Sequence, residues 1–130
     1  MIIGLGLDLV EISRMEAAWR RFGRRFAERI LHPLELDDLP EQAQKAAEFL
    51  AGRFAAKEAA VKALGTGFAG AVSPHELRVR KRPAGQPEMI FLGPALERMR
   101  ELGADGSFLS ITHSKTSAAA VLVLTGSRAL

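Results

Sequence analysis

The chain has 130 residues, of which 48% are hydrophobic and 25% are charged, and its formal net charge is +3. That length suits one domain with a real core, and the composition excludes an intrinsically disordered chain. Because cysteine is absent, disulfides, thiolate zinc sites and a cysteine nucleophile are excluded. The small positive charge permits an anionic partner without requiring one. We expect a single domain over residues 1–130.

No stretch of the sequence reaches the roughly 18 apolar residues that a membrane-spanning helix needs. The apolar segment from Met1 to Val10 lacks a basic leader and contains Asp8, so it does not read as a signal peptide. The predicted location is the cytoplasm.

The segment from Ile2 to Val10 is predicted to be a β-strand. Alternation places Ile3, Leu5, Leu7 and Leu9 on one face, and Gly4, Gly6 and Asp8 on the other. Glycine weakens a strand unless something must approach it closely. Asp8 therefore either stands beside a crowded surface, backbone or ligand, or merely ends the strand before a helix.

A helix is predicted to follow, opened by a capping box from Ser13 to Glu16. Its apolar face repeats at helical spacing through Ile12, Met15, Trp19, Phe22, Phe26 and Ile30. Away from that face, a stripe of arginines is formed by Arg14, Arg21 and Arg25. Arginines outnumber acids along this helix, an excess that suits an acidic protein or a nucleic acid.

The longest predicted helix runs from Glu41 to Leu64, with Gly52 as its soft point and Gly65 as its C-terminal cap. Its cations are unusual, because Arg53 and Lys57 project into the apolar sector.

In the ordinary interpretation, Glu58 and Lys62 form a surface pair, and the stems of Arg53 and Lys57 lie on apolar surface with their heads in water. In the alternative, three cations and a carboxylate this close together suit a metal-bound polyphosphate. The helix alone does not decide between the two.

The remaining elements are predicted from turn residues and alternation. They are a loop or short turn over residues 31–40, a loop over 68–74, hairpin strands over 77–82 and 89–92, a helix over 94–102, strands over 107–113 and 117–124, and a frayed tail from Gly126. The last strand is continuously apolar and is therefore expected to be internal. Together these elements predict an α+β fold, a small and mainly antiparallel sheet packed with helices.

Three blocks of the chain together resemble the holo-(acyl-carrier-protein) synthases, the small bacterial members of the 4′-phosphopantetheinyl transferase superfamily. The blocks are Gly4 to Asp8 with Ile12 and Arg14 after it, Gly52 to Gly67, and Ser110 to Ser114 with an apolar strand after it. The turn Gly85-Gln86-Pro87 also resembles the Gly-x-Pro turn of that family. The resemblance extends from Ile3 to about Leu124.

The resemblance implies a magnesium-dependent transfer of the 4′-phosphopantetheine arm of coenzyme A to a serine of an apo acyl carrier protein. The second product would be adenosine 3′,5′-bisphosphate, and the reaction would serve fatty acid biosynthesis. The family's α+β fold and its homotrimer, with active sites between neighbouring subunits, are implied in the same way. Neither a nucleic-acid nor a membrane partner is expected.

The resemblance also implies roles for individual residues. Asp8 and Glu58 would bind the metal, and Lys62 would lie near the diphosphate. Coenzyme-binding positions are expected at Arg53, Lys62, Gly65 and His113, and catalytic ones at Glu58, Lys62 and His113. The general base is left open among Glu58, a water on the metal and His113.

One arginine of the first helix, Arg14, matches a residue that docks the carrier protein in this family. Because acyl carrier proteins are acidic, we hypothesise that Arg14, Arg21 and Arg25 form the docking track. The third block departs from the family in reading Thr112-His113-Ser114 where Ser-His-Thr is common, and it lacks a tyrosine often seen after it. These departures affect details of the coenzyme pocket.

A different class of function is a basic nucleic-acid-binding module that uses the same arginine-rich helix. Against it, the chain has no tyrosine, no recognisable RNA motif and no obvious exposed aromatic residues for stacking. A non-catalytic relative is disfavoured because Asp8, Glu58, Lys62 and His113 are all present.

Overall fold

The computed structural model describes residues 1–67 and 72–127, and its elements confirm the α+β prediction. In chain order they are β1 (Ile2–Glu11), α1 (Ile12–Phe22), α2 (Arg24–Ile30), α3 (Pro33–Leu36), α4 (Ala43–Leu64), a 3-10 turn (Pro74–Glu76), β2 (Leu77–Lys81), β3 (Pro87–Phe91), α5 (Gly93–Glu101), β4 (Gly106–His113) and β5 (Ser117–Thr125). Within these ranges, no helix is both long enough and apolar enough to cross a bilayer. Residues 68–71 of the predicted loop and 128–130 of the predicted tail lie outside the described residues.

All strand pairs in the described residues are antiparallel and form two sheets. One has the order β1-β5-β4, and the other is the β2-β3 hairpin. The apolar strand β5 lies in the centre of the larger sheet, as its continuous hydrophobicity predicted. The prediction that the tail frays from Gly126 is wrong for Gly126 itself, because its N–H donates to the Met1 carbonyl and its own carbonyl accepts from the Met1 ammonium.

Helix α4 crosses the larger sheet on the face that carries the glycines of β1. A Cβ atom added to Gly6 would lie 1.8 Å from the carbonyl oxygen of Ala59, and one added to Gly4 would lie 2.5 Å from that of Ala63. The close neighbour that the glycines require is therefore the backbone of α4. At the other edge of the sheet, Gly52 approaches Ile111 of β4.

The long helix begins and ends nearly where its caps predict. The Gln42 side chain accepts a hydrogen bond from the Lys45 amide at 2.9 Å, and Gly65 ends the helix with φ of 76°. The helix continues through Gly52 without a break. The helix is buried on several sides, and among the described residues it contributes many side chains to the hydrophobic core.

The first predicted helix is wrong in two details. Gly23, with φ of 60°, divides it into α1 and α2. The helix already begins at Ile12 with Glu11 as its N-cap, so Ser13 lies inside the first turn and forms no capping box. At the end of α1, just before the break, Phe22 is 55% exposed and is not a core residue.

Candidate functional site

Strand β1 and helix α4 bring Asp8, Glu58 and Lys62 together. Lys62 Nζ donates to Asp8 Oδ1 at 2.9 Å and to the Leu7 carbonyl at 3.0 Å. Asp8 lies on the helix-facing side of β1, two residues beyond Gly6, where α4 comes closest to the strand. The predicted surface pair between Glu58 and Lys62 is therefore wrong, because Lys62 pairs with Asp8 instead.

The charges of this cluster act on one another. Burial raises the pKa of Glu58, the neighbouring Asp8 charge raises it further, and Lys62 opposes the shift. The hydrogen bond and charge of Asp8 raise the pKa of Lys62. Asp8 and Glu58 line a cavity of about 210 Å³ together with Arg14 and Phe54, and Lys62 lies beside Asp8. The two carboxylates repel each other, since Asp8 raises the pKa of Glu58, and a bound cation would relieve that repulsion.

The donor set fits a magnesium ion better than a zinc ion. In the part of the chain that the structure describes, no group of three or more His, Cys, Asp or Glu side chains could hold a metal. Zinc takes three or four such ligands, whereas magnesium keeps several waters and is held by one or two carboxylates plus substrate phosphates. Asp8 and Glu58 match the second pattern.

A second cavity, of about 300 Å³, lies at the opposite edge of the same sheet. Its lining includes Arg53 and Gly52 of α4, Lys81 of β2 and His113 at the end of β4. The His113 ring is exposed, with Nδ1 3.1 Å from the Ser114 carbonyl. This cavity is basic, because Lys45, Arg53 and Lys81 face a single acid, Glu48.

One chain therefore divides the predicted site residues between two places. By register, the Asp8 row of the sheet continues through Ala120 of β5 to Ile111 of β4, and His113 lies two rows further on, opposite Ala118. Two strand spacings separate β1 from β4, or about 10 Å of backbone. Asp8, Glu58 and Lys62 form one group, and Arg53 and His113 line a separate cavity.

The two cations in the apolar sector of α4 do not join Glu58. Lys57 is fully buried, and its Nζ lies 2.6 Å from Glu35 Oε1, so the expectation that its head reaches water is wrong. Arg53 Nε lies 3.4 Å from Glu35 Oε2. The sequence interpretation missed Glu35. A signal for it was present, since Glu35 stands between two leucines and the apolar sector of α4 required a counter-charge.

The remaining predicted positions are spread over the surface. Gly65 caps α4, and an added Cβ there would lie 3.8 Å from Arg98 Nη2. Arg14 lines the cavity of Asp8 and Glu58, whereas Arg25 lines another cavity, of about 310 Å³, beside Phe22 and Phe26. The predicted continuous stripe of arginines is interrupted, because Gly23 separates Arg25 from α1.

The three arginines still differ from their neighbours in pairing. Arg20 and Arg24 form i,i+4 ion pairs with Glu16 and Glu28. Across residues 1–67 and 72–127, no ion pair neutralises Arg14, Arg21 or Arg25. Arg21 lies over the ring of Phe22, 5.1 Å from its centroid.

Comparison with known proteins identifies relatives of this chain along nearly its full length. Residues 4–120 match the family model described as the 4′-phosphopantetheinyl transferase superfamily. A holo-(acyl-carrier-protein) synthase of Nitratidesulfovibrio vulgaris is 52% identical over 124 residues, which cover 95% of this chain and 98% of that protein. A protein of the same name from Alkalilimnicola ehrlichii is 47% identical over 98% of this chain and 99% of the relative.

Solved structures with similar folds carry the same name. The crystal structure of the holo-(acyl-carrier-protein) synthase of Neisseria meningitidis has a TM-score of 0.85 and 40% identity, covering 96% of this chain and 99% of that one. That of Bacillus anthracis, described as a complex with CoA (3′,5′-ADP), has a TM-score of 0.80 and 37% identity over 98% and 99% of the two chains. These relatives give the nucleic-acid-binding alternative no support.

Proposed function

Because the chain belongs to the 4′-phosphopantetheinyl transferase superfamily, we propose that its reaction is that of the holo-(acyl-carrier-protein) synthases. It transfers the 4′-phosphopantetheine group of coenzyme A to a serine of an apo acyl carrier protein and releases adenosine 3′,5′-bisphosphate. The observation in this chain that carries the proposal is that Asp8 and Glu58 line one cavity while Lys62 donates a hydrogen bond to Asp8. Incubation with coenzyme A, magnesium and an apo carrier should raise the carrier's mass by one phosphopantetheine group.

The nucleophile is supplied by the partner, so this chain needs no serine of its own. The serine oxygen forms a bond to the phosphorus that bears the pantetheine arm, the bond from that phosphorus to the bridging oxygen breaks, and the serine proton passes to a base. Among the side chains considered as the base, only Glu58 shares the cavity of Asp8 within one chain. His113 could serve only from a neighbouring copy.

Asp8 and Glu58 are the residues that would hold a magnesium ion, which when bound supplies positive charge against the diphosphate oxygens. The Lys62 ammonium group adds a positive charge beside Asp8. Its Nζ is half-exposed beside Asp8, so a phosphate oxygen that reaches the carboxylates also comes within reach of the ammonium group. That charge stabilises the phosphate group that leaves.

A homotrimer with sites shared between subunits accounts for the division of the predicted residues. The β1 edge carries Asp8, Glu58 and Lys62, and the β4 edge carries Arg53 and His113. A head-to-tail arrangement places one edge of each copy against the other edge of the next, and it closes into a ring.

An apolar surface supports this assembly. The sheet face that points away from α4 exposes Leu5, Leu7, Leu9 and Phe108 to between 63% and 69%. Monomeric proteins seldom leave such a patch open.

A mixing experiment tests the shared site. Asp8→Asn and His113→Ala each remove one half of it, so each protein alone should be nearly inactive. Mixed and reassembled, they form some sites with both halves intact, and activity should reappear. Failure of the mixture to recover activity, although mass measurement shows mixed trimers, would refute a shared site.

For the carrier protein, we propose docking on the unpaired arginines Arg14, Arg21 and Arg25. Arg14 connects this surface to the chemistry, because it lines the cavity that Asp8 and Glu58 share. An acidic helix on α1 and α2 would therefore bring its serine towards that cavity. The cytoplasmic location of the enzyme remains a prediction from the sequence.

A further inference from the structure

We propose that Glu35 is a positioning residue for coenzyme A: it fixes the Arg53 guanidinium at the wall of the cavity that Arg53 shares with His113, where Arg53 binds a phosphate group of the coenzyme. This inference rests on the proposed function, and it adds a residue that touches neither substrate nor metal. Glu35 comes from the short helix α3, 18 positions before Arg53 in the sequence.

Lys57 has all the hydrogen-bond acceptors that its ammonium group needs without any contribution from Arg53. Its ammonium has three N–H donors, and it has three acceptors, namely the Ile30 carbonyl at 2.6 Å, Glu35 Oε1 at 2.6 Å and the Pro74 carbonyl at 3.1 Å. Glu35 Oε1 also accepts from the His32 amide at 2.9 Å. Glu35 Oε1 thus already accepts two hydrogen bonds, one from Lys57 and one from His32.

The other oxygen of Glu35 faces Arg53. Oε2 lies 3.4 Å from Arg53 Nε, and both atoms are buried without a hydrogen-bond partner among the described residues. Buried charges that stay unpaired are costly, so the attraction between these two atoms holds the guanidinium in place. The guanidinium carbon of Arg53 also lies 4.5 Å from the centroid of the Phe49 ring. Carboxylate and ring together fix the plane of the guanidinium.

The charge balance of this cluster favours an anionic ligand. Two buried cations, Arg53 and Lys57, share one buried carboxylate, so one positive charge is left at the cavity wall. Burial lowers the pKa of Arg53, with Glu35 and the exposed Asp38 opposing the shift, and arginine remains charged in proteins. Arg53 also lines an adjoining cavity of about 570 Å³ whose other cations are Arg78, Arg80 and Lys81. A phosphate group would complete the pairing of Arg53.

A purely structural role for Glu35 makes a different prediction. Through Lys57, Glu35 links α3 to α4 and to the carbonyls of Ile30 and Pro74. If that link were its whole role, its removal would lower stability and would not act on coenzyme binding through Arg53.

The test uses Glu35→Gln together with Lys57→Met. The pair of changes removes the charges of Glu35 and Lys57 together, because Glu35→Gln alone would leave Lys57 as an unpaired ion in the core. The glutamine oxygen can still accept from the His32 amide. Calorimetry with coenzyme A should give a Kd raised about tenfold, the effect of ~1.4 kcal/mol. KM for coenzyme A should rise with it, while KM for the carrier protein stays as in wild type.

Arg53→Ala supplies the decisive comparison. If Glu35 acts through Arg53, the double change should raise Kd no further in an Arg53→Ala background. Additive effects, or an unchanged Kd in the double variant, would overturn the inference. Met99→Ala removes a buried side chain of α5 that lines none of these cavities, so it is the control for lost stability alone.

A second variant covers the case in which the double variant does not fold. Glu35→Asp keeps the charge but withdraws the carboxylate by one methylene, so it should also raise the Kd for coenzyme A. An unchanged Kd for Glu35→Asp would contradict positioning by Glu35. Wild-type protein that bound no coenzyme A would instead refute the proposed function itself.

Discussion

The ammonium nitrogen of Lys62 lies 2.9 Å from a carboxylate oxygen of Asp8, and this contact joins the last turn of α4 to β1. It places a cation at the edge of a site in which Glu58 supplies a second carboxylate. A diphosphate that approaches the carboxylates through a metal ion would thereby meet Lys62 directly. One short stretch of α4 would thus supply both a proposed metal ligand, Glu58, and a proposed phosphate contact, Lys62.

Replacing Lys62 by methionine should lower kcat by about 10²-fold, the typical cost of removing one charge-stabilising donor. Methionine keeps an unbranched side chain, one atom shorter than that of lysine, and removes its charge. Arg100→Met, on the exposed side of α5, is the matched control. Steady-state kinetics with coenzyme A and a carrier protein measure the effect. A kcat within twofold of wild type would exclude Lys62 from charge stabilisation.

Glu58→Gln should make the metal-free protein more stable at neutral pH. Burial and Asp8 raise the pKa of Glu58 above 4.5 in the folded state. This group therefore adds stability below its ordinary pKa, and the addition is lost as the pH rises through the folded pKa. Thermal unfolding in the presence of a chelator should show a higher Tm for the variant at about pH 7.5 and little difference at about pH 4.

The control for this pH dependence is Glu101→Gln, which changes an exposed carboxylate of α5. This variant should show the same difference in Tm between the two pH values as the wild type. Magnesium should raise the Tm of the wild type and have little effect on Glu58→Gln. Equal Tm values for wild type and Glu58→Gln at neutral pH would contradict the strained pair of carboxylates.

Reversing the charge of Arg21 and Arg25 to glutamate should raise KM for the carrier protein about tenfold, a loss of ~1.4 kcal/mol. KM for coenzyme A should hardly change, because neither residue lines the cavities of Asp8 or His113. Added salt should weaken the wild-type interaction, since exposed charges are screened. Arg100→Glu is the control, and equal increases in both KM values would reject the docking surface.

Gly6→Ala should destabilise the fold by about 1–3 kcal/mol or more, the usual range for overpacking. The new methyl group would lie 1.8 Å from the Ala59 carbonyl oxygen, and a backbone oxygen cannot move aside as a side chain does. Urea unfolding measures the change. Gly52→Ala, whose nearest atom is the Ile111 side chain at 3.3 Å, should cost much less. Similar losses at both positions would contradict the close packing of α4 on β1.

The parts of this fold that could be predicted from the sequence are those with a local signal, such as a cap or a hydrophobic period. Helical periodicity and the positive-φ cap at Gly65 correctly predicted the long helix. The continuous apolar run correctly predicted that β5 is central in its sheet. Gly23 was missed as a break because isolated glycine is tolerated inside helices. Only the folded chain shows that Gly23 takes a φ of 60° and ends α1 there.

The candidate site was harder to predict because its contacts are long-range. Nothing in the sequence near Lys62 shows that it pairs with Asp8, 54 positions earlier. The same is true of Lys57 and Glu35, which are 22 positions apart. Helical spacing correctly placed Arg53 and Lys57 in the apolar sector, but only the fold provides the buried carboxylate that receives them.

The most direct test of the account is the mass of an apo acyl carrier protein after incubation with this protein, coenzyme A and magnesium. We predict a gain of one phosphopantetheine group that disappears with a chelator and in Asp8→Ala and Glu58→Ala. Circular dichroism of both variants must match the wild type, so that a loss reports the site. Full modification by both variants, or a gain that does not depend on magnesium, would contradict the assignment of Asp8 and Glu58 as the metal-binding pair.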